Sequence, residues 1–119
     1  DESNQERMTQ AVGSTVYTAP EIFNSNHYDE KCDIFSFGIM MFEILRHTIH
    51  PYGSINTAFV GAKVANDSKF RPNVAELSSL DRMKGKEHIL QLMQKCWHHD
   101  PLVRPSFEEI ITFLERCLN

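Results

Sequence analysis

Residues 33–45 read Asp-Ile-Phe-Ser-Phe-Gly-Ile-Met-Met-Phe-Glu-Ile-Leu, apolar on nearly every face and broken inside the run only by Ser36, Gly38 and Glu43. A surface helix shows one apolar stripe, whereas a helix apolar all round is buried on all sides. The run is too short to cross a bilayer, which takes roughly 20 apolar residues. It is expected to be the central post of a helical domain. Asp33 at its start is out of character, because a carboxylate entering a core needs donors waiting for it.

The remaining pattern is helical as well. Residues 1–12 carry no apolar run and read as a mobile arm or loop. Residues 13–15 are a turn signal, and 16–18 are β-prone but short. Ala19 precedes Pro20 and is pushed toward extended geometry. Pro20 followed by Glu21 suits a helix start, giving a short helix over about residues 20–24. Asp29 is a candidate N-cap for the central helix, which runs to about Arg46 or His47, where basic side chains suit the negative end. Residues 47–54, with Pro51 and Gly53, form a turn, and Phe59, Val60 and Ala62 carry a helix over about residues 57–64. Residues 66–80, with Pro72 inside, read as a long loop that must drape over something.

Ile89, Leu92, Met93, Cys96 and Trp97 recur at i, i+3, i+4, i+7 and i+8, predicting an amphipathic helix over residues 87–97. Ser106 and Glu109 form a capping box, with Ser106 bonding forward and Glu109 reaching back. Phe107, Ile110, Ile111, Leu114 and Leu118 then give a second stripe. The fold class expected is all-α, with about four to five helices and no internal repeat.

Composition narrows the class. A chain of 119 residues with 41% hydrophobic and 24% charged residues suits one globular domain. A net charge of −4 and the lack of a basic stripe argue against nucleic acid as a partner. The polar, acidic start carries no signal-peptide core, and no membrane segment is found. The chain does not begin with Met, so it reads as a processed or cut piece. Three cysteines, Cys32, Cys96 and Cys117, without short spacing suit reduced thiols in the cytosol. The six histidines form no metal-ligand pattern, so no metal site is expected.

Three motifs now stand in order: Gly-Ser-Thr-Val-Tyr-Thr-Ala-Pro-Glu at residues 13–21, Asp-Ile-Phe-Ser-Phe-Gly at 33–38, and Trp-His-His-Asp-Pro-Leu-Val-Arg-Pro at 97–105. Together they resemble the second half of a eukaryotic protein kinase domain. The resemblance runs from about residue 12 to 118 and implies the helical C-terminal lobe. It implies a partial kinase domain over 1–119, with residues 1–21 the activation-loop end and substrate loop and 22–119 the helical lobe. Gly13 and Ser14 resemble serine/threonine kinases, while Cys96-Trp97 before Asp-Pro resembles the tyrosine-kinase-like group. Both together imply a tyrosine-kinase-like enzyme acting on Ser or Thr. Two departures keep the chemistry: Ser14 stands where Thr is usual, and Phe35 where Trp is common.

The resemblance also implies roles. Asp33 would accept backbone N–H bonds from the catalytic loop and hold it rigid. Glu21 and Arg104 would pair as a buried salt bridge. Ser14, Thr15, Val16 and Tyr17 would contact the substrate. Ser3 and Thr9 are the candidate activation-loop phosphorylation sites. Trp97 lies on an apolar stripe and reads as core.

Phosphoryl transfer also needs a phosphate cradle, a Lys, metal-binding Asp and Asn, and a catalytic Asp. None of these motifs occurs in the chain, so no catalytic residue is assigned. The chain alone is expected neither to bind ATP nor to transfer phosphate, while the whole kinase domain would take ATP and Mg. The expected partners are a protein substrate and the missing N-terminal part of the domain. Without that part, one flank of the central helix should be bare, and the piece should self-associate there or be a remnant of a longer chain. The alternative function is a pseudokinase lobe serving as a docking or scaffolding module.

Overall fold

The computed structural model describes residues 16–25 and 29–118. The readings made on residues 1–15, including Ser3, Thr9, Ser14 and Thr15, lie outside the described residues. Five α-helices occur among the described residues: α1 (Pro20–Ser25), α2 (Glu30–Arg46), α3 (Thr57–Asn66), α4 (Lys86–Cys96) and α5 (Phe107–Leu118). A 3-10 segment, Val74–Leu80, joins α3 to α4, and no strand occurs among the described residues.

Helix α2 begins where Asp29 accepts the Lys31 N–H at 2.8 Å, which satisfies one of the orphan donors of a first turn. It ends at His47, whose φ of 58° and ψ of 49° are left-handed. The Thr48 N–H then closes the end on the Glu43 carbonyl at 3.1 Å. Two clusters meet on this helix. Cys32, Phe35, Ile39 and Phe42 pack with Val60 and Val64 of α3, Leu77, Met93 and Trp97. Ile34 packs instead with Leu92 and Cys96 of α4 and Ile110 of α5.

The third face of α2 corrects the all-round burial expected from its apolarity and is the bare flank expected from the missing part of the domain. Asp33, Met40 and Ile44 fall at i, i+7 and i+11, one line along the helix. Asp33 is exposed, Met40 is 48% exposed and Ile44 is 70% exposed. The helix is apolar all round but covered on two sides. Asp33 therefore does not enter a core, and it has no partner among the described residues.

Gly38 explains how closely α2 and α4 pack. A Cβ there would lie 2.9 Å from Cys96 Cβ and 3.1 Å from the Met93 carbonyl oxygen. Helix α1 leans on α3 in a similar way: the Phe23 ring sits where a Gly61 side chain would be, 2.3 Å from the nearest ring atom.

Residues 66–80 are not a structureless loop. The Asn73 side chain accepts the Ala75 N–H at 3.1 Å and opens the 3-10 segment. Val74, Leu77 and Leu80 then repeat at intervals of three and all face the main cluster, as short 3-10 turns allow, with the backbone kinking between two such turns at Leu77 (φ −94°, ψ 18°). That spacing was present in the sequence but falls outside a search at 3.6. The last helix carries its capping bond, Glu109 N–H to Ser106 Oγ at 3.1 Å. The Glu109 carboxylate reaches back to the Ser106 hydroxyl, at 3.3 Å.

Candidate functional site

Arg104 is 2% exposed and is the buried charge among the described residues. A guanidinium has five N–H donors and no acceptor, so burying it demands a complete set of partners. The chain supplies them from three places. Nη1 donates to Glu21 Oε2 at 2.7 Å and Nη2 to Glu21 Oε1 at 2.8 Å, a two-bond fork on one carboxylate. Nε donates to the His98 carbonyl at 2.7 Å, Nη1 also to the Lys31 carbonyl at 2.9 Å, and Nη2 to the His99 carbonyl at 3.3 Å. Lys31 Nζ returns a bond to the Arg104 carbonyl at 2.8 Å. One ion pair thereby ties α1, the start of α2 and the turn after α4.

The electrostatics follow from this placement. Burial alone would raise the Glu21 carboxyl, but the Arg104 hydrogen bonds and charge, with help from Cys32, hold it below the ordinary glutamate value. Cys32 Sγ donates to Glu21 Oε2 at 3.4 Å. Burial, and the Glu21 and Asp29 carboxylates, push that thiol up to about 11. Burial likewise pushes Cys96 up to about 12. Both thiols are core residues rather than nucleophiles.

The segment before Glu21 has a second fastening. The Ser36 hydroxyl donates to the Tyr17 carbonyl at 2.7 Å, with a longer 3.2 Å alternative to the Cys32 carbonyl. The Tyr17 phenol faces Glu43, whose hydrogen bond, aided by burial and its negative charge, pushes it up to about 12. Ala19 and Pro20 are buried and Val16 is half-buried. Beside Tyr17 opens a groove of about 780 Å³, lined by Glu43, Ile44 and residues 47–50.

The fold thus brings Glu21 and Arg104 together, sets Tyr17 against Ser36 and Glu43 of α2 with Val16 on the core, and leaves Asp33 apart on the open face of α2. It also recruits residues that the sequence reading passed over. Arg71 Nε donates to the Trp97 carbonyl at 2.8 Å, Nη1 to the Phe70 carbonyl at 2.7 Å, and Nη2 meets His99 Nδ1 at 3.3 Å. The guanidinium carbons of Arg71 and Arg104 lie 5.0 and 5.1 Å from the Phe35 ring centre. The available signal was an arginine wedged between Phe70 and Pro72, where a surface loop has no use for a cation among apolar neighbours.

Among the described residues no three His, Cys, Asp or Glu side chains converge as a metal would require. No helix there is long and apolar enough to cross a membrane.

A family profile described as protein tyrosine and serine/threonine kinase matches residues 1–114. A probable LIM domain-containing serine/threonine-protein kinase of Dictyostelium discoideum is 35% identical over 109 residues, which are 92% of this chain and 10% of that protein. A probable serine/threonine-protein kinase of the same organism is 32% identical over 112 residues, 94% of this chain and 11% of that protein. Mitogen-activated protein kinase kinase kinase 7 of Homo sapiens is 34% identical over 114 residues, 96% of this chain and 18% of that protein. The chain spans between 10% and 18% of the length of these relatives. The helices of the described residues and the profile agree: this chain belongs to the protein tyrosine and serine/threonine kinase family, as part of the helical lobe of the kinase domain.

Proposed function

We propose that this chain is the substrate side of the helical lobe of a serine/threonine protein kinase of tyrosine-kinase-like type. The observation that carries the reading is the pair of hydrogen bonds between Arg104 and Glu21 at 2.7 and 2.8 Å, at the start of the helix that follows the segment of Tyr17 in the chain. Such a tie is structural chemistry. It fixes a backbone that something else uses, as a rigid support does for a binding site. Ser14, Thr15, Val16 and Tyr17 are the residues proposed to receive the protein substrate. Ser3 and Thr9 are the proposed phosphorylation sites of the same loop. The names of the matched relatives support Ser/Thr over Tyr as acceptor.

The exposed line Asp33, Met40 and Ile44 is where the rest of the kinase domain is proposed to sit, with Asp33 accepting amides of its catalytic loop. ATP and Mg belong to that rest, and the chain alone is proposed to be inactive, in a cytoplasmic setting. The same apolar line also favours a second reading, a pseudokinase lobe whose open face docks a protein or a second copy. Ligand binding to the folded state alone raises the melting temperature. Under the first reading, ATP with Mg raises the melting temperature of the intact protein and leaves that of residues 1–119 unchanged. No shift in the intact protein contradicts catalysis and supports docking.

A further inference from the structure

We propose that Arg71 is a positioning residue that holds the Glu21–Arg104 tie in place and, through it, the backbone of residues 16–19. The inference deepens the kinase reading by naming a further support of the proposed substrate segment. Arg104 is set by the carbonyls of His98 and His99. Those carbonyls belong to the turn that follows α4, and a turn has no helical ladder to fix it. Arg71 grips that turn from the other element that reaches it. It binds the Trp97 carbonyl through Nε at 2.8 Å and the His99 ring at 3.3 Å, and it is anchored at its own end by the Phe70 carbonyl at 2.7 Å.

Two arginines near one ring would repel each other unless each were held. Both guanidinium carbons lie about 5 Å from the Phe35 ring centre, where the ring's electron-rich face favours a cation. Phe35 is fully buried, so this attraction is not diluted by water. Glu21 is the carboxylate set against Arg104, and Arg71 is satisfied by the Phe70 and Trp97 carbonyls and by His99 Nδ1. Removing Arg71 leaves the Trp97 carbonyl without its donor and the His99 ring without its neighbour. The turn then loosens, and the Arg104 fork loosens with it.

The test is amide hydrogen exchange on the intact protein, comparing the parent with Arg71→Met and Arg71→Lys. Local opening sets these rates. Exchange over residues 16–19 is expected to rise about ten-fold in Arg71→Met and less in Arg71→Lys, which keeps the charge and the donors of one nitrogen but loses the fork. Exchange over α3 is expected to stay within about two-fold. In a Glu21→Gln background, Arg71→Met should add nothing further, because both substitutions act on one tie. Uniform acceleration over α2 and α3, no change over residues 16–19, or full additivity with Glu21→Gln overturns the inference. If Arg71→Met does not fold, Arg71→Lys carries the same comparison. With an active parent, KM for a protein substrate should rise about three-fold or more at nearly constant kcat. A parent without kinase activity leaves the exchange result standing and counts against the kinase reading alone.

Discussion

Arg104 and Glu21 lie 83 positions apart in the chain and meet through two charge-assisted bonds, 2.7 and 2.8 Å long. The Arg104 side chain is fully buried and that of Glu21 is 15% exposed. Removing one partner therefore strands a charge. Arg104→Met or Glu21→Gln should cost about 3–5 kcal/mol, whereas replacing both at once should cost less than the two singles added together. A double-mutant cycle by denaturant unfolding measures this.

Acid should unfold the protein in two windows. His99 lies below the ordinary histidine value because of burial first and the Arg71 and Arg104 charges next. The unfolded chain therefore takes its proton first, and stability falls as the pH drops below about 6.5. Glu21 is a depressed carboxyl, so its contribution is complete above the unfolded value of about 4.3 and is lost as the pH falls through the folded one. Thermal unfolding against pH should show both steps. In His99→Gln, where an amide oxygen still accepts from Arg71, the upper step should shrink and the lower one remain.

Gly38 is a packing requirement. Its Cβ position lies 2.9 Å from Cys96 Cβ and 3.1 Å from the Met93 carbonyl, and neither is the free end of a flexible side chain. Gly38→Ala should destabilise by about 1–3 kcal/mol through forced separation of α2 and α4, although alanine is the better helix former. A rise in stability on equilibrium unfolding would contradict the packing account.

His47 gives a substitution of opposite sign. Among the described residues it is the non-glycine with a left-handed backbone, at φ 58°, and its side chain is exposed. A side-chain-bearing residue pays roughly 1–2 kcal/mol for that conformation. His47→Gly should therefore stabilise by about 1 kcal/mol once the added freedom of the unfolded chain is subtracted.

Much of this organisation was legible in the residues. The caps at Asp29 and Ser106, the α4 and α5 stripes and the terminal basic residues of α2 are local signals, and each marks an element that forms. The Glu21–Arg104 pairing was not derivable from pattern, since nothing local links positions so far apart; only the family resemblance brought the two together. The 3-10 segment was missed because Val74, Leu77 and Leu80 repeat at three. Arg71 was missed because a single arginine in a loop has no periodicity at all. The all-round apolarity of α2 was read as burial on all sides, but composition cannot say which neighbours are present. The missing part of the domain predicted one bare flank, and Met40 and Ile44 are apolar and exposed there; which residues line that flank is legible only in three dimensions.

The central claim is that the tied segment at residues 16–21 serves the transfer of phosphate to hydroxyls of proteins. The most direct measurement is phosphoamino-acid analysis of a protein substrate after incubation of the intact protein with γ-labelled ATP and Mg. The account predicts phosphoserine or phosphothreonine from the intact protein, and no label from residues 1–119 alone. Phosphotyrosine as the main product, or no transfer by the intact protein, would contradict it.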